Sequence, residues 1–283
     1  MPWVKAKDGT QLYTLDWGSG PPIVFIHGWP LSSSMWEYQM VPLAEAGFRC
    51  VAYDRRGFGQ SNKPYTGYDY QTLATDLAAV LEQLDLNDVT LVGFSMGGGE
   101  VAEYLARHNG AGRVTRAALV SSITPFLLQT ADNPDGVAAS VFEGMKAGLR
   151  KDRAAFLTDF TETFFGVGVL SSPVSMPMLA SICEVAMVAS PRATLDCVDA
   201  FSSTDLRAAC RAISVPTLVI HGDADKTTPI KPTGHAAAEL IPHAELEIYE
   251  GAPHGLFYTH RERLNRDLAA FASEGAVVLP EAA

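Results

Sequence analysis

The chain has 283 residues, 47% hydrophobic and 19% charged, with 21 Lys and Arg against 32 Asp and Glu for a formal net charge of −11. That apolar share supports one large core or two modest ones and excludes a disordered or fibrous protein. An acidic surface repels phosphate backbones and anionic membranes, so neither nucleic acid nor a membrane is an expected partner.

Residues 1–9 contain no apolar segment of the kind a secretory signal needs. Residues 3–6 and 11–17 alternate around Asp8-Gly9, a hairpin signal. Short continuous apolar runs follow at 22–27, 48–53, 89–92, 117–120 and 215–220. Runs without alternation suit strands buried on both faces of a parallel sheet. None approaches the roughly 18 residues that span a bilayer. Between them, residues 70–84 set Leu73, Leu77, Val80, Leu81 and Leu84 at helical spacing behind Asp69 or Thr72 as cap, and 99–107 and 261–271 look similar. This alternation predicts a doubly wound, mostly parallel α/β sheet. From 124 to 214 there is no convincing strand. Phe, Met, Ala and Leu recur there at loosely helical spacing, interrupted by Pro134, Pro173, Pro177 and Pro191. A helical cap over 124–214, inserted in a core of 1–123 and 215–283, is therefore expected, with a weakly ordered tail from 274. Cys50, Cys183, Cys197 and Cys210 show neither a C-x-x-C pair nor metal-ligand spacing. They read as free thiols in a reducing compartment, and a cytoplasmic protein without a metal site is expected.

Chemistry concentrates where one apolar run meets a helix. Gly93-Phe94-Ser95-Met96-Gly97 fits G-x-S-x-G, with a buried strand before it and a helix after it. A strand turning sharply into a helix strains the serine backbone and packs chain on both sides, so a Cβ at 93 or 97 would collide. The following helix N-terminus offers free N–H groups where negative charge develops. Ser95 is the expected nucleophile, and a hydroxyl needs a base that is itself oriented by an acid. His254, in Gly251-Ala252-Pro253-His254-Gly255 after the last strand-like run, occupies the place for that base. The other six histidines (27, 108, 221, 235, 243 and 260) read as structural. After the run 215–220 stand Asp223 and Asp225, with side chains pointing different ways. Asp223, beside Gly222, reads as a turn former bonding its own backbone, which leaves Asp225 as the acid. The other common place, after 117–120, holds Ser121 and Ser122 and no carboxylate. An oxyanion hole needs two backbone N–H groups. Met96 supplies one. Trp29 supplies the second, since Gly28 permits close approach and Pro30 has no N–H.

Taken together with Tyr53-Asp54-Arg55-Arg56-Gly57-Phe58-Gly59-Gln60-Ser61 and Gly67-Tyr68-Asp69-Tyr70, these segments resemble the α/β-hydrolase superfamily over nearly the whole chain. Within it the chain is most similar to cofactor-free haloperoxidases and their perhydrolase, aryl-esterase and γ-lactamase relatives. The resemblance implies a triad of Ser95, Asp225 and His254, oxyanion donors at Trp29 and Met96, and no cofactor or metal. It also implies structural roles for Asp54 and Arg55, and often a small homo-oligomer. The implied activity is serine hydrolysis of small, largely apolar esters, lactones or amides. Hydrogen peroxide in place of water gives a perhydrolase side activity, which Pro30 after Trp29 favours in such proteins. Trp29, Met96, Phe126 and Ile230 would form the acyl pocket, although Phe126 and Ile230 serve equally as plain core residues. Lys226-Thr227-Thr228 after the acid is more polar than the group's pattern. Haloalkane dehalogenases and epoxide hydrolases share the fold but carry Asp where Ser95 stands. A receptor that keeps the triad and turns over slowly is the alternative reading.

Overall fold

A computed structural model describes residues 3–168 and 172–273; the tail expected from 274 lies outside them. The described residues form β1 (Trp3–Lys5), β2 (Gln11–Gly18), β3 (Pro22–Ile26), β4 (Arg49–Tyr53), β5 (Val89–Phe94), β6 (Val114–Val120), β7 (Thr217–Gly222) and β8 (Ala244–Tyr249). They make one sheet in the order β1-β2-β4-β3-β5-β6-β7-β8. β2 runs antiparallel to β1 and β4, and every other pairing is parallel. The interior strands β5 and β7 are buried at every position, as their largely apolar sequences require, whereas the edge strand β8 exposes Glu245, Glu247 and Ile248. β6 starts earlier than its apolar run, because Val114 and Arg116 pair with β5 across an irregularity at Thr115.

Eleven α-helices complete the described chain: α1 (Glu37–Glu45), α2 (Tyr70–Gln83), α3 (Met96–Arg107), α4 (Ala139–Lys151), α5 (Arg153–Phe164), α6 (Met176–Val188), α7 (Pro191–Ser203), α8 (Arg207–Ala212), α9 (Ala236–Leu240), α10 (Leu256–Thr259) and α11 (Arg261–Ala272). α1 packs on α11, while α2 packs on α3, α3 on α8 and α8 on α9. The sequence conceals α1 because Pro42 sits inside it. Proline cannot donate to the carbonyl four residues back. Here that carbonyl, on Tyr38, accepts instead from Asn265 Nδ2 of α11 at 2.8 Å.

Between β6 and α8 the chain makes four helices, α4 to α7, and its only described strand-like pairing is the isolated bridges Leu128–Val137 and Thr130–Asn133. Pro177 and Pro191 do not break helices. They stand at the starts of α6 and α7, where a missing N–H costs nothing, and Ser175 and Ser190 cap those starts. The last helix of the segment expected as cap, α8, packs on α3 and α9 beside the sheet.

Candidate active site

At the carboxyl end of β5 the backbone passes through Ser95 with φ +53° and ψ −119°, then enters α3 at Met96. That turn has no room for side chains next to it. A Cβ on Gly93 would sit 2.7 Å from the Gly97 carbonyl oxygen, and one on Gly97 would sit 2.6 Å from that of Ile26. The strained serine is pinned by its own backbone: its N–H donates to Val120 O at 2.9 Å, and its carbonyl accepts from Gly98 N at 3.0 Å.

The loop after β8 delivers His254, whose Nε2 lies 3.0 Å from Ser95 Oγ. Its ring is almost fully buried, packed against Phe94 with centroids 4.9 Å apart and edge-on to Phe164 at 4.7 Å. The next residue, Gly255, donates its N–H to Phe164 O at 2.8 Å, so the end of α5 holds the loop from above. On the far side of the ring, Nδ1 lies 2.7 Å from Asp225 Oδ2.

Asp225 is buried in the loop after β7 and receives several donors. Its Oδ1 accepts from the N–H groups of Thr227 and Thr228, both at 2.8 Å, and its Oδ2 accepts from the Thr228 hydroxyl at 2.8 Å. Burial alone would raise this carboxyl, but the adjacent His254 and His221 outweigh it and hold it well below the usual carboxylate range. Asp223 departs from its expected local turn. It accepts from Gly251 N at 2.6 Å, tying the acid loop to the loop that carries His254.

The remaining walls come from the loop after β3. A Cβ on Gly28 would lie 3.1 Å from Ser95 Cβ, so this loop runs directly beside Ser95. Beneath it, His27 Nε2 accepts from Arg55 N at 2.9 Å, and Arg55 Nη2 donates to His27 O at 2.6 Å. The Arg55 guanidinium is paired with Glu100 of α3, which also accepts from Tyr53 Oη at 2.7 Å. Burial, and then the neighbouring Arg55 charge, keep His27 well below the usual imidazole range, so it stays neutral. Asp54 plays a comparable part nearby, accepting from Ser33 N at 2.8 Å and Gln60 N at 2.7 Å.

A cavity of about 440 Å³ opens onto Ser95. Trp29 lines it, whereas Phe126, Ile230 and Met96 are not among its lining residues. The Phe126 ring lies under the Arg207 guanidinium at 5.1 Å and it is the next residue, Leu127, that faces the space; the Met96 side chain is buried in the core. Much of the lining comes from α4, α5 and α7, among them Phe142, Phe156, Phe160 and Phe201. Thr228 also lines the space, a contact foreshadowed only by the polar character of 226–228.

Residues 21–261 match the family described as alpha/beta hydrolase fold. A non-heme chloroperoxidase of Kitasatospora aureofaciens is 42% identical over 97% of this chain and 100% of its own. A bifunctional esterase/perhydrolase of Acinetobacter calcoaceticus is 40% identical over 96% and 99%. The crystal structure of a bromoperoxidase from Bacillus anthracis superposes with a TM-score of 0.92 at 43% identity, covering 95% of this chain and 98% of that one. The doubly wound sheet, the strained serine at its edge and these relatives lead to one placement: this chain is an enzyme belonging to the α/β-hydrolase family.

Proposed function

We propose that the enzyme hydrolyses small, largely apolar esters, lactones or amides through Ser95, His254 and Asp225, and that it also transfers the acyl group to hydrogen peroxide. The observation that carries this reading is the unbroken line of hydrogen bonds from Ser95 Oγ through the imidazole to Asp225 Oδ2, at 3.0 and 2.7 Å.

In this reading Ser95 Oγ attacks the carbonyl carbon as its proton passes to His254 Nε2. The oxyanion lies against the N–H groups of Trp29 and Met96, the second of which, as the first of a helix, has no intrahelical acceptor. Collapse expels the leaving group, which takes the proton back from His254. Water then attacks the acyl-enzyme, again losing its proton to His254, and the carboxylic acid leaves with Ser95 restored. Hydrogen peroxide entering by the same route leaves as a peracid, which oxidises halide in solution while returning to the acid. The names of the esterase/perhydrolase and chloroperoxidase relatives support both outcomes. Helices α4 to α7 act as the cap, and their apolar lining favours neutral substrates of modest size.

We place the protein in the cytoplasm. Cys50, Cys183, Cys197 and Cys210 are all free, which suits a compartment that keeps thiols reduced. No single described helix is long and apolar enough to cross a membrane.

The test is sustained turnover of p-nitrophenyl acetate, with and without peroxide and bromide. Ser95→Ala is expected to lower kcat on the order of 10⁴- to 10⁶-fold and to abolish bromination alongside it, with the fold intact. A variant keeping half its activity, or a wild-type burst without further release, overturns the proposal.

A further inference from the structure

The hydroxyl of Thr228 lies within reach of three partners beside the proposed triad, on which this inference rests. Its Oγ1 is 2.8 Å from Asp225 Oδ2, 3.1 Å from His254 Nδ1 and 3.2 Å from Ser121 O. With His254 Nδ1–H directed at the carboxylate, the single hydroxyl proton must choose an acceptor. The carboxylate is both nearer and charged, so the proton goes there. Asp225 Oδ2 thus divides its negative charge between two close donors, the His254 imidazole and the threonine, with His221 Nε2 farther off at 3.4 Å. The other oxygen is already occupied by the N–H groups of Thr227 and Thr228.

We propose that Thr228 is a positioning residue whose hydroxyl draws charge away from Asp225 Oδ2 and so limits how strongly the carboxylate stabilises a protonated His254. A triad acid bonded by the imidazole alone on that oxygen would hold the imidazolium more firmly and keep the base occupied by a proton to higher pH. The threonine counteracts this, and its carbonyl serves the same loop: Thr228 O accepts from His221 Nε2 at 2.8 Å. The same His221 Nε2 stands 3.4 Å from Asp225 Oδ2, so its N–H is shared between that carbonyl and the carboxylate, with the nearer bond going to the carbonyl. The other charged groups of the acid loop stand apart: Lys226 and Asp223 are exposed, and Asp223 is bonded to Gly251 N. Thr228 is therefore the one side-chain hydroxyl bonded to Asp225 among the described residues.

The readout is the acid limb of kcat/KM against pH, with p-nitrophenyl acetate and the full-length enzyme. Thr228→Val keeps the shape and removes the donor. Its limb is expected to move to higher pH by about half a unit to one unit, a fraction of the worth of one hydrogen bond to a charged group. Thr228→Ser keeps the hydroxyl and is expected to hold the wild-type limb. If the valine variant folds poorly, Thr228→Ala carries the same expectation, and the Nδ1–H proton resonance of His254 reports the change directly by moving downfield. A limb that stays in place in the valine and alanine variants overturns the proposal, as does one that moves equally in the serine variant. Ser95→Ala separates the two readings. If it is inactive while the Thr228 limb is unmoved, the Thr228 role alone fails; if it retains turnover, both fall.

Discussion

The floor and the roof of the cavity are built from different forces. On the floor, Ser95, His254 and Asp225 sit in a lattice of directional bonds, each atom fixed by a donor or acceptor within about 3 Å. The roof is assembled by ring contact: Phe160 lies edge-on to Trp29 at 5.1 Å and stacks on Phe156 at 6.1 Å, while Phe142 meets Phe201 at 6.2 Å. Hydrogen bonds hold geometry to tenths of an ångström, whereas dispersion contacts permit repacking at similar volume. The chemical step therefore depends on the floor, and the range of substrates depends on the roof.

Asp225→Asn should separate the regions most sharply. An amide in that place leaves the imidazole without its oriented acceptor, and kcat is expected to fall roughly 10⁴-fold. Asp223→Asn, which loosens only the tie to Gly251, is expected to cost less than about tenfold. Equal losses in the two variants would dissolve the distinction between acid and brace. The pH profile sharpens it. Because Asp225 is held well below the ordinary carboxylate range, it stays ionised across the acid limb. The wild-type limb should fall with the slope of one proton, taken up by the imidazole. A two-proton slope would mean that the acid titrates too. The same depression stabilises the fold above the ordinary carboxylate range, and that contribution is lost as pH falls through the lowered folded value.

Gly97→Ala comes next. The added methyl meets the Ile26 carbonyl at 2.6 Å, and a backbone carbonyl cannot swing aside as a side chain does. A loss of about 1–3 kcal/mol in stability is expected, together with lower kcat as the Trp29 loop is displaced. Chemical denaturation and kcat on the same preparation check both; a neutral result would show that the turn is looser than its contacts indicate.

This contrast also explains which parts of the molecule are legible in sequence. A strand-to-helix turn with a strained serine admits few residue types, so Gly93, Ser95 and Gly97 stand out, and the order of acid and base follows from the sheet's connections. The roof asks only for apolar bulk at helical spacing. Many sequences satisfy that, and the sequence accordingly leaves Phe126 and Ile230 open between pocket and core: Phe126 lies beneath Arg207, and the lining includes Leu127 and aromatic residues of α4, α5 and α7. α1 was hidden because its Pro42 is compensated by Asn265, more than two hundred residues away, a partner that no local pattern announces. Thr228 lay in a run visibly more polar than expected, but only the fold shows which atoms its hydroxyl meets.

Replacing a roof ring should act on binding rather than chemistry. Phe160→Ala removes contacts to Trp29 and Phe156 and enlarges the cavity, so KM for bulky apolar esters is expected to rise about tenfold, while kcat for an acetate ester changes little. Parallel falls in kcat for large and small esters would place Phe160 with the floor instead.

The smallest effect is expected at the residue that joins the two regions. In the proposed mechanism Trp29 contributes its backbone N–H to the floor; its indole Nε1 donates to Thr194 O of α7 at 3.1 Å and its ring meets Phe160 and Phe201. Trp29→Phe leaves the backbone donor in place and removes only the indole bond, so a loss of about 1 kcal/mol in stability is expected, with kcat within a few-fold of wild type. If the backbone N–H is what serves the oxyanion, a smaller ring will not matter to the chemical step. If kcat instead falls a hundredfold while the melting temperature holds, the side chain itself is setting the floor's geometry, and the division between a bonded floor and a packed roof fails at the residue that spans them.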